Sequence, residues 1–323
     1  MNDKDEKIAC SLCNNHLRTK YIDDVQRFNK TFDVYLCEKC MVGVTIPTPS
    51  PEDISELYST GSYRSGSGKR FNPLVEYLIY VSRILRKRRI QKYIKQGRIL
   101  DIGCGRGLFL EIMRRDGWDV TGVEYSKETA LHVFETYGIK VLTEASINTL
   151  PDKSFDVITL NHVLEHTYRP AELIKECRRL LKKEGLLVIA VPNIHSLQAS
   201  VGGKVWFHLD LPFHINHFSE KGLSKLLNRN SFSLLKTRQF DPEYNPFGWL
   251  QTLLNLSGLS ENLLYNMLKN PELRNKTSNV AGWELILTFM LLPVYFPLSV
   301  MLSVIESLLL KRGGTIEGYA IKT

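Results

Sequence analysis

The sequence predicts an α/β fold with a doubly wound, mostly parallel sheet, and three observations predict it. A short apolar strand ending near Asp101 runs into a turn with Gly103, Gly105 and Gly107 at alternate positions, and an apolar helix starts at Leu108. A second strand, Asp119–Tyr125, follows that helix and carries Glu124 near its end. Further apolar runs then alternate with helical patterns, the rhythm of strand, crossover helix and next parallel strand. In such a sheet a ligand sits beyond the carboxyl ends of the strands.

The chain has 323 residues, 43% of them hydrophobic, enough for one large domain with attachments and too apolar for a disordered protein. The opening MNDKDEKIAC holds no apolar leader core, so the expectation is a cytoplasmic protein with reduced cysteines. Cys10 and Cys13, then Cys37 and Cys40, are paired across two intervening residues. Two thiolates at that spacing bind one ion from a single turn, and two such turns close a tetrahedral site. The expected Zn2+ is structural and holds a module over residues 1–58; two unrelated cysteine pairs or a disulfide framework are the alternative. Loss of one cysteine is expected to unfold residues 8–46.

Residues 59–97 are expected to be a linker and a basic helix. Ser59–Lys69, STGSYRSGSGK, is rich in glycine and serine, which suits a linker or a lid. Much of the net charge of +8 then falls in one place. Arg83, Arg86, Lys87, Arg88, Arg89, Lys92, Lys95 and Arg98 share a helical pattern with Leu74, Leu78, Ile79, Ile84, Ile90 and Ile94. Such a face suits solvent, an anionic lipid surface or a phosphorylated substrate. No nucleic-acid recognition module is evident, so nucleic acid is not an expected partner.

Residues 98–240 carry the main domain. After the first two strands come a third unit at Ile139–Leu142 and a fourth strand, Ser154–Leu160, leading into NHVLEH at Asn161–His166. A helix over Pro170–Lys182 and an apolar fifth strand, Leu186–Val191, follow. Next are a loop with Trp206, His208, Pro212, His214 and His217, a helix over Ser219–Arg229 and a strand near Phe232–Phe240.

The series LDIGCGRG, VEYS, LPDKSFDVITLNHVLEH and LKKEGLLVIAVPN resembles the class I S-adenosylmethionine-dependent methyltransferases, over about Arg98–Phe240. A nicotinamide-binding protein is the runner-up for the glycine turn, but the order of motifs disfavours it. The resemblance implies a Rossmann-like seven-stranded sheet whose last strand, Thr315–Lys322 within residues 313–323, is antiparallel. It implies that Asp101, Gly103 and Gly105 border the methionine part of S-adenosyl-L-methionine, that Glu124 holds the ribose and that Tyr125 lies against the adenine. Ser146 stands where many relatives carry an aspartate for the adenine amine, which leaves the backbone of Ser146 and Ile147 for that contact. Asn161 completes the expected cofactor set, and Cys104 reads as packing.

Methyl transfer to a hydroxyl needs the acceptor positioned and its proton removed. Histidine suits that base, because its ordinary pKa lies near working pH. His217 is the first candidate and His214 the second; His162 and His166 are also plausible, while the regularity of HVLEH among the relatives makes Glu165 and His166 look architectural.

Residues 241–312 form an insertion. Leu285–Ile305 holds no charge and is flanked by Trp283 and by Lys311 and Arg312, residue types of membrane interfaces. If the strands on either side belong to one sheet, the chain leaves and returns on the same side. The apolar run is too short for two spans, and Pro293 and Pro297 interrupt a helix. The expectation is a helical hairpin that dips into one leaflet or lies on the surface, helped by Trp249–Leu268; a buried subdomain or dimer interface is the alternative.

Two further segments carry resemblances. FDVYLCEKCMVGVTIPTPSP is similar to a zinc-knuckle module ahead of some bacterial methyltransferases that act on sugars or cell-surface glycans, and NPFGWLQTLLNLSG resembles a group with the same insertion. Together they imply a saccharide or lipid-linked acceptor, with the protein peripheral or monotopic at the inner face of the plasma membrane. A quinone or other isoprenoid acceptor, or a noncatalytic scaffold, are the alternatives.

Overall fold

The computed structural model describes residues 8–59, 71–269 and 280–323. Most of the serine and glycine loop, residues 60–69, lies outside the described residues. The chain begins with β1 (Thr19–Arg27), β2 (Lys30–Leu36), β3 (Val42–Ile46), α1 (Pro51–Ser59) and α2 (Pro73–Ile90). The main domain follows as β4 (Arg98–Ile102), α3 (Leu108–Arg115), β5 (Asp119–Val123), α4 (Lys127–Tyr137), β6 (Val141–Leu142), β7 (Phe155–Asn161), α5 (Pro170–Leu180) and β8 (Leu181–Pro192). Then come α6 (Leu197–Gly202), β9 (Asn216–Phe218), α7 (Glu220–Arg229), β10 (Phe232–Arg238), α8 (Tyr244–Leu256), α9 (Leu263–Leu268), α10 (Gly282–Val304) and β11 (Thr315–Lys322).

The larger sheet has seven strands in the order β10, β11, β8, β7, β4, β5, β6. Strands β4 to β8 pair in parallel, and β11 slots antiparallel between β8 and β10, with Thr315 opposite Pro192 and Ile321 opposite Leu186. Helices cover both faces, so the central strands are buried throughout: Val157, Ile158 and Leu160 of β7 and Leu187 to Val191 of β8. That double burial is why these strands read as unbroken apolar runs.

The smaller sheet is antiparallel and runs β1, β2, β3, β9. Its fourth strand comes from the loop after β8: Gly43 lies opposite His217 and Val44 opposite Asn216. A Cβ on Gly43 would stand 3.0 Å from that of His217, so only glycine lets these strands close without a shift. Cys10, Cys37, Cys40, Val42 and Val44 belong to the same buried cluster as Leu100, Leu160, Phe218 and Leu223. The amino-terminal module and the main domain therefore share one core.

Two expectations are corrected. The basic helix turns much of its charge inward: Arg83 pairs with both oxygens of Glu243, Arg89 with Glu317 at 3.0 Å and Lys87 with Asp116 at 2.8 Å, while Arg86 is buried. Leu74, Tyr77 and Leu78 face outward instead. The second correction concerns the apolar run, which is not itself a hairpin. α10 is continuous through Pro293 and Pro297 and extends by a π-helical turn, Ile305–Leu309. The hairpin forms between α8 and α10: Asn245 donates to Ser307 at 3.1 Å, and the hydroxyls of Ser257 and Tyr295 meet at 3.0 Å.

α10 is inside out. Glu284, Thr288, Ser299 and Ser303 are buried, whereas Ile286, Phe289, Met290, Val294, Phe296, Met301 and Val304 are exposed. Its polar stripe is satisfied locally, because Thr288 donates to the carbonyl of Glu284 and Ser303 to that of Ser299, both at 2.7 Å. Glu306 anchors the base. Its carboxylate accepts from the Gln198 backbone at 3.2 Å, the Gln198 amide at 2.9 Å and the Gly314 backbone at 3.1 Å. Glu306→Ala strands buried donors at a cost of about 1–3 kcal/mol each. We expect a clearly lower urea midpoint; a midpoint unchanged from wild type would show that Glu306 holds nothing.

Candidate functional site

The site begins where β4 ends. The backbone N–H groups of Gly103 and Cys104 both donate to the carbonyl of Val123, at 2.8 and 3.0 Å, which turns the chain sharply over the end of β5. Gly103 has φ +71°, and a Cβ there would stand 2.4 Å from Val163. Gly105 has φ +52°, and a Cβ there would meet nothing within 4 Å. One glycine is demanded by packing; the other opens its backbone onto free space, as a close-fitting ligand requires.

Glu124 lies across that opening. One carboxylate oxygen accepts from Gly105 N at 2.9 Å, and the other from Tyr125 N at 3.0 Å and Ser126 N at 3.3 Å. Asp101 forms the floor, accepting from Thr159 at 2.5 Å and Asn161 at 3.4 Å. Burial pushes its carboxyl up to about 6, partly offset by the Thr159 hydroxyl and by Arg86 and Arg83. The amide oxygen of Asn161 is buried without a hydrogen-bond partner. Tyr125 is exposed, and Ile147 is buried. Ser146 spends its backbone N–H on Thr143 O at 2.9 Å and its hydroxyl on that of Thr143 at 3.1 Å. Arg106, in the glycine turn, grips Glu76 at 3.0 Å and so ties the start of α2 to the site, a contact the sequence did not single out. The open backbone at Gly105, the carboxylate beside it and the orphaned amide oxygen of Asn161 fit an S-adenosylmethionine.

Along the same sheet edge histidines gather. His162, with φ +53°, holds a conformation uncommon outside glycine. Its Nδ1 lies 3.1 Å from Glu165, its ring sits 4.1 Å from that of Tyr244, and its Nε2 is buried without a partner. Glu165 is fully buried; burial alone would raise its carboxyl, but the hydrogen bond from His162 and the charges of His162, His166 and His214 bring it down to about 2. The rings of His166 and His214 meet edge to face at 4.7 Å. Tyr244, at the root of the insertion, carries no local motif and went unseen in the sequence.

The first candidate base, His217, is placed on the other side of the loop. It is buried against Thr45 of β3, whose hydroxyl lies 2.9 Å from its Nε2 and also donates to the His214 carbonyl at 2.6 Å. This placement ties His217 to the amino-terminal module and leaves His214 as the candidate facing Glu165 and His166.

The four cysteine sulfurs converge within 4.8 Å of one another, with Cys10 to Cys40 and Cys13 to Cys37 both at 3.5 Å. All four are free thiols. The residues after the two pairs, Asn14 and Met41, share positive φ, and their N–H groups donate back to Cys10 O and Cys37 O. Two matching turns facing each other fit one tetrahedral, thiolate-bound ion.

Residues 75–237, just over half of the chain, match the methyltransferase domain family. With a seven-stranded sheet, an antiparallel last strand and a glycine turn facing an acidic residue, this is a class I S-adenosylmethionine-dependent methyltransferase domain. The chain belongs to that family. A probable S-adenosylmethionine-dependent methyltransferase of Mycobacterium tuberculosis is 30% identical over 131 residues, 40% of this chain and 46% of that protein. A ubiquinone biosynthesis O-methyltransferase of Alkalilimnicola ehrlichii is 36% identical over 104 residues, 30% of this chain and 42% of that protein. The chain spans about half the length of the curated relatives it matches. The crystallised cyclase SpnF is similar in fold, with a TM-score of 0.50 and 16% identity over 85% of this chain and 97% of that one; fold alone does not fix chemistry.

Burial holds the imidazoles of His208 and His217 neutral, each lowered from 6.5 to about 3. A depressed histidine pKa stabilises the fold above the unfolded value, and that stability is lost as pH falls toward the folded value. The unfolding free energy should therefore decline from pH 6.5 downward, by up to about 1.4 kcal/mol per pH unit for each histidine, and the melting temperature should fall with it. His217→Asn should flatten that decline. A wild-type melting temperature that rises on acidification would contradict the assignment.

Proposed function

We propose that the chain transfers a methyl group from S-adenosylmethionine to an acceptor carried by a membrane lipid. The observation that carries this reading is the reversed polarity of α10, whose apolar face points away from the protein while its partner helix α8 begins at Tyr244, against His162. At about 1.5 Å per residue, the 28 residues of α10 and its π-turn span about 42 Å. β10 and β11 lie side by side, so the chain returns to the face it left, and α8 is too short to cross a bilayer. A hairpin lying in one leaflet satisfies both facts. Exposed Trp283 at one end and Lys311 and Arg312 at the other are suited to the boundary of the lipid.

When bound, S-adenosylmethionine supplies an electrophilic methyl on a sulfonium. Glu124 would accept ribose hydroxyls, and the amide oxygen of Asn161, which has no partner of its own, would accept from the amino acid end. His162, His166, His214 and Tyr244 form the wall that an acceptor must approach. The four cysteines hold Zn2+ as a structural ion, which pins β3 and through it β9 and the loop bearing His214.

A polyprenyl-linked saccharide is the acceptor we place first, on the likeness of the amino-terminal module to those of sugar-modifying relatives. An isoprenoid quinone is the second reading, favoured by the ubiquinone biosynthesis relative. Bacterial membranes incubated with methyl-labelled S-adenosylmethionine and the protein should show label in the lipid extract, released by mild acid if a lipid-linked saccharide carries it. Label on quinones would select the second reading, and no label in lipid would refute both. The full chain should float with phosphatidylethanolamine and phosphatidylglycerol vesicles, while Phe289→Glu combined with Phe296→Glu should stay behind; wild type that stays behind contradicts a leaflet-embedded α10.

A further inference from the structure

We infer that Glu165, His166 and His214 form a second metal site, distinct from the four cysteines, that takes a divalent first-row transition ion at the acceptor wall. One ligand atom from each lies within 4.8 Å of the others, so side-chain shifts of well under an ångström bring all three within about 2.0–2.2 Å of a single ion. Two imidazoles and one carboxylate are a recurrent donor set for zinc and ferrous iron.

The orientation of the rings is set in advance. His166 Nδ1 lies 2.8 Å from the carbonyl of Phe213, and His214 Nδ1 lies 3.0 Å from the carbonyl of His208. A carbonyl only accepts, so both Nδ1 atoms carry the hydrogen, which leaves Nε2 as the atom of each ring that can offer a lone pair to an ion. Metal-binding histidines are typically fixed through their other nitrogen in this way. The third donor is primed as well: Glu165 is 1% exposed, one oxygen faces His162, and the other has no hydrogen-bond partner. A buried carboxylate oxygen without a partner is costly unless something fills the gap. Asp210 stands at the rim, 3.7 Å from His214 Nε2.

The backbone holds the three together from three segments. Ile215 N donates to Glu165 O at 2.9 Å, Asn216 to Thr167 O at 2.7 Å and Thr45 to His214 O at 2.6 Å. The cluster reaches the cofactor floor through His162, whose neighbour Asn161 bonds Asp101. Held by three protein donors, an ion there would keep a coordination position for a substrate oxygen, whose pKa it would lower. Its role rests on the methyltransferase reading; its existence does not.

Cobalt(II) titrated into zinc-loaded full-length protein tests the site, with S-adenosylhomocysteine binding measured on the same samples. The expected result is saturation at one added cobalt per chain, with visible bands of nitrogen and oxygen ligation and without thiolate-to-metal charge transfer. Glu165→Gln and His214→Asn should each lose that saturation while keeping S-adenosylhomocysteine affinity within about twofold. No saturable cobalt, bands of thiolate ligation alone, or full binding in both variants would overturn the site. Loss of nucleoside binding in wild type would instead strike the methyltransferase reading.

Discussion

The parallel pairing of β4 with both β5 and β7 is the constraint on which the rest of the molecule depends. The chain moves outward from β4 through β5 to β6 and then returns to β7 on the other side, so crossover helices leave in opposite directions and a crevice opens at the carboxyl ends. Gly103, Asp101, Glu124 and Asn161 all lie at that crevice because each ends or follows one of these strands. Their distances are consequences of the strand register and need no dedicated loop.

What is added to this core is attached at the same edge. The amino-terminal module reaches it through β3 and β9, and the close fit of Gly43 against His217 makes that seam tight. The insertion reaches it through Tyr244 on His162 and through Glu306 beneath Gln198 and Gly314. The amino-terminal module and the insertion thus reach the same edge of the sheet, one through β9 and the other through His162. Each attachment stabilises the loop from Trp206 to Phe218, which has little regular structure of its own and depends on its neighbours.

Much of this was legible because local chemistry specifies it. The glycine turn and Glu124 lie within one strand–turn–helix–strand unit, and the cysteine pairs declare themselves by spacing. The seven-stranded sheet with its antiparallel last strand was what the resemblance implied. Contacts between distant segments were not legible. Arg83, Lys87 and Arg89 read as a free basic face because their partners, Glu243, Asp116 and Glu317, belong to other elements. Glu165 and His166 read as architectural from the regularity of HVLEH among the relatives, and nothing local announced His214, which joins them from a separate loop. β9 has only three residues, too few for an alternating pattern, so the turn of His217 toward Thr45 could not be foreseen. Pro293 and Pro297 suggested a break, yet the helix runs through both and carries them on its exposed side.

The most direct measurement of the central claim is calorimetric binding of S-adenosylhomocysteine to the zinc-loaded full chain and to Glu124→Ala. The account predicts one ligand per chain, weakened about 100-fold or more in the variant, the worth of two hydrogen bonds to a carboxylate. Absence of binding to wild type, or equal affinity in the variant, would contradict it.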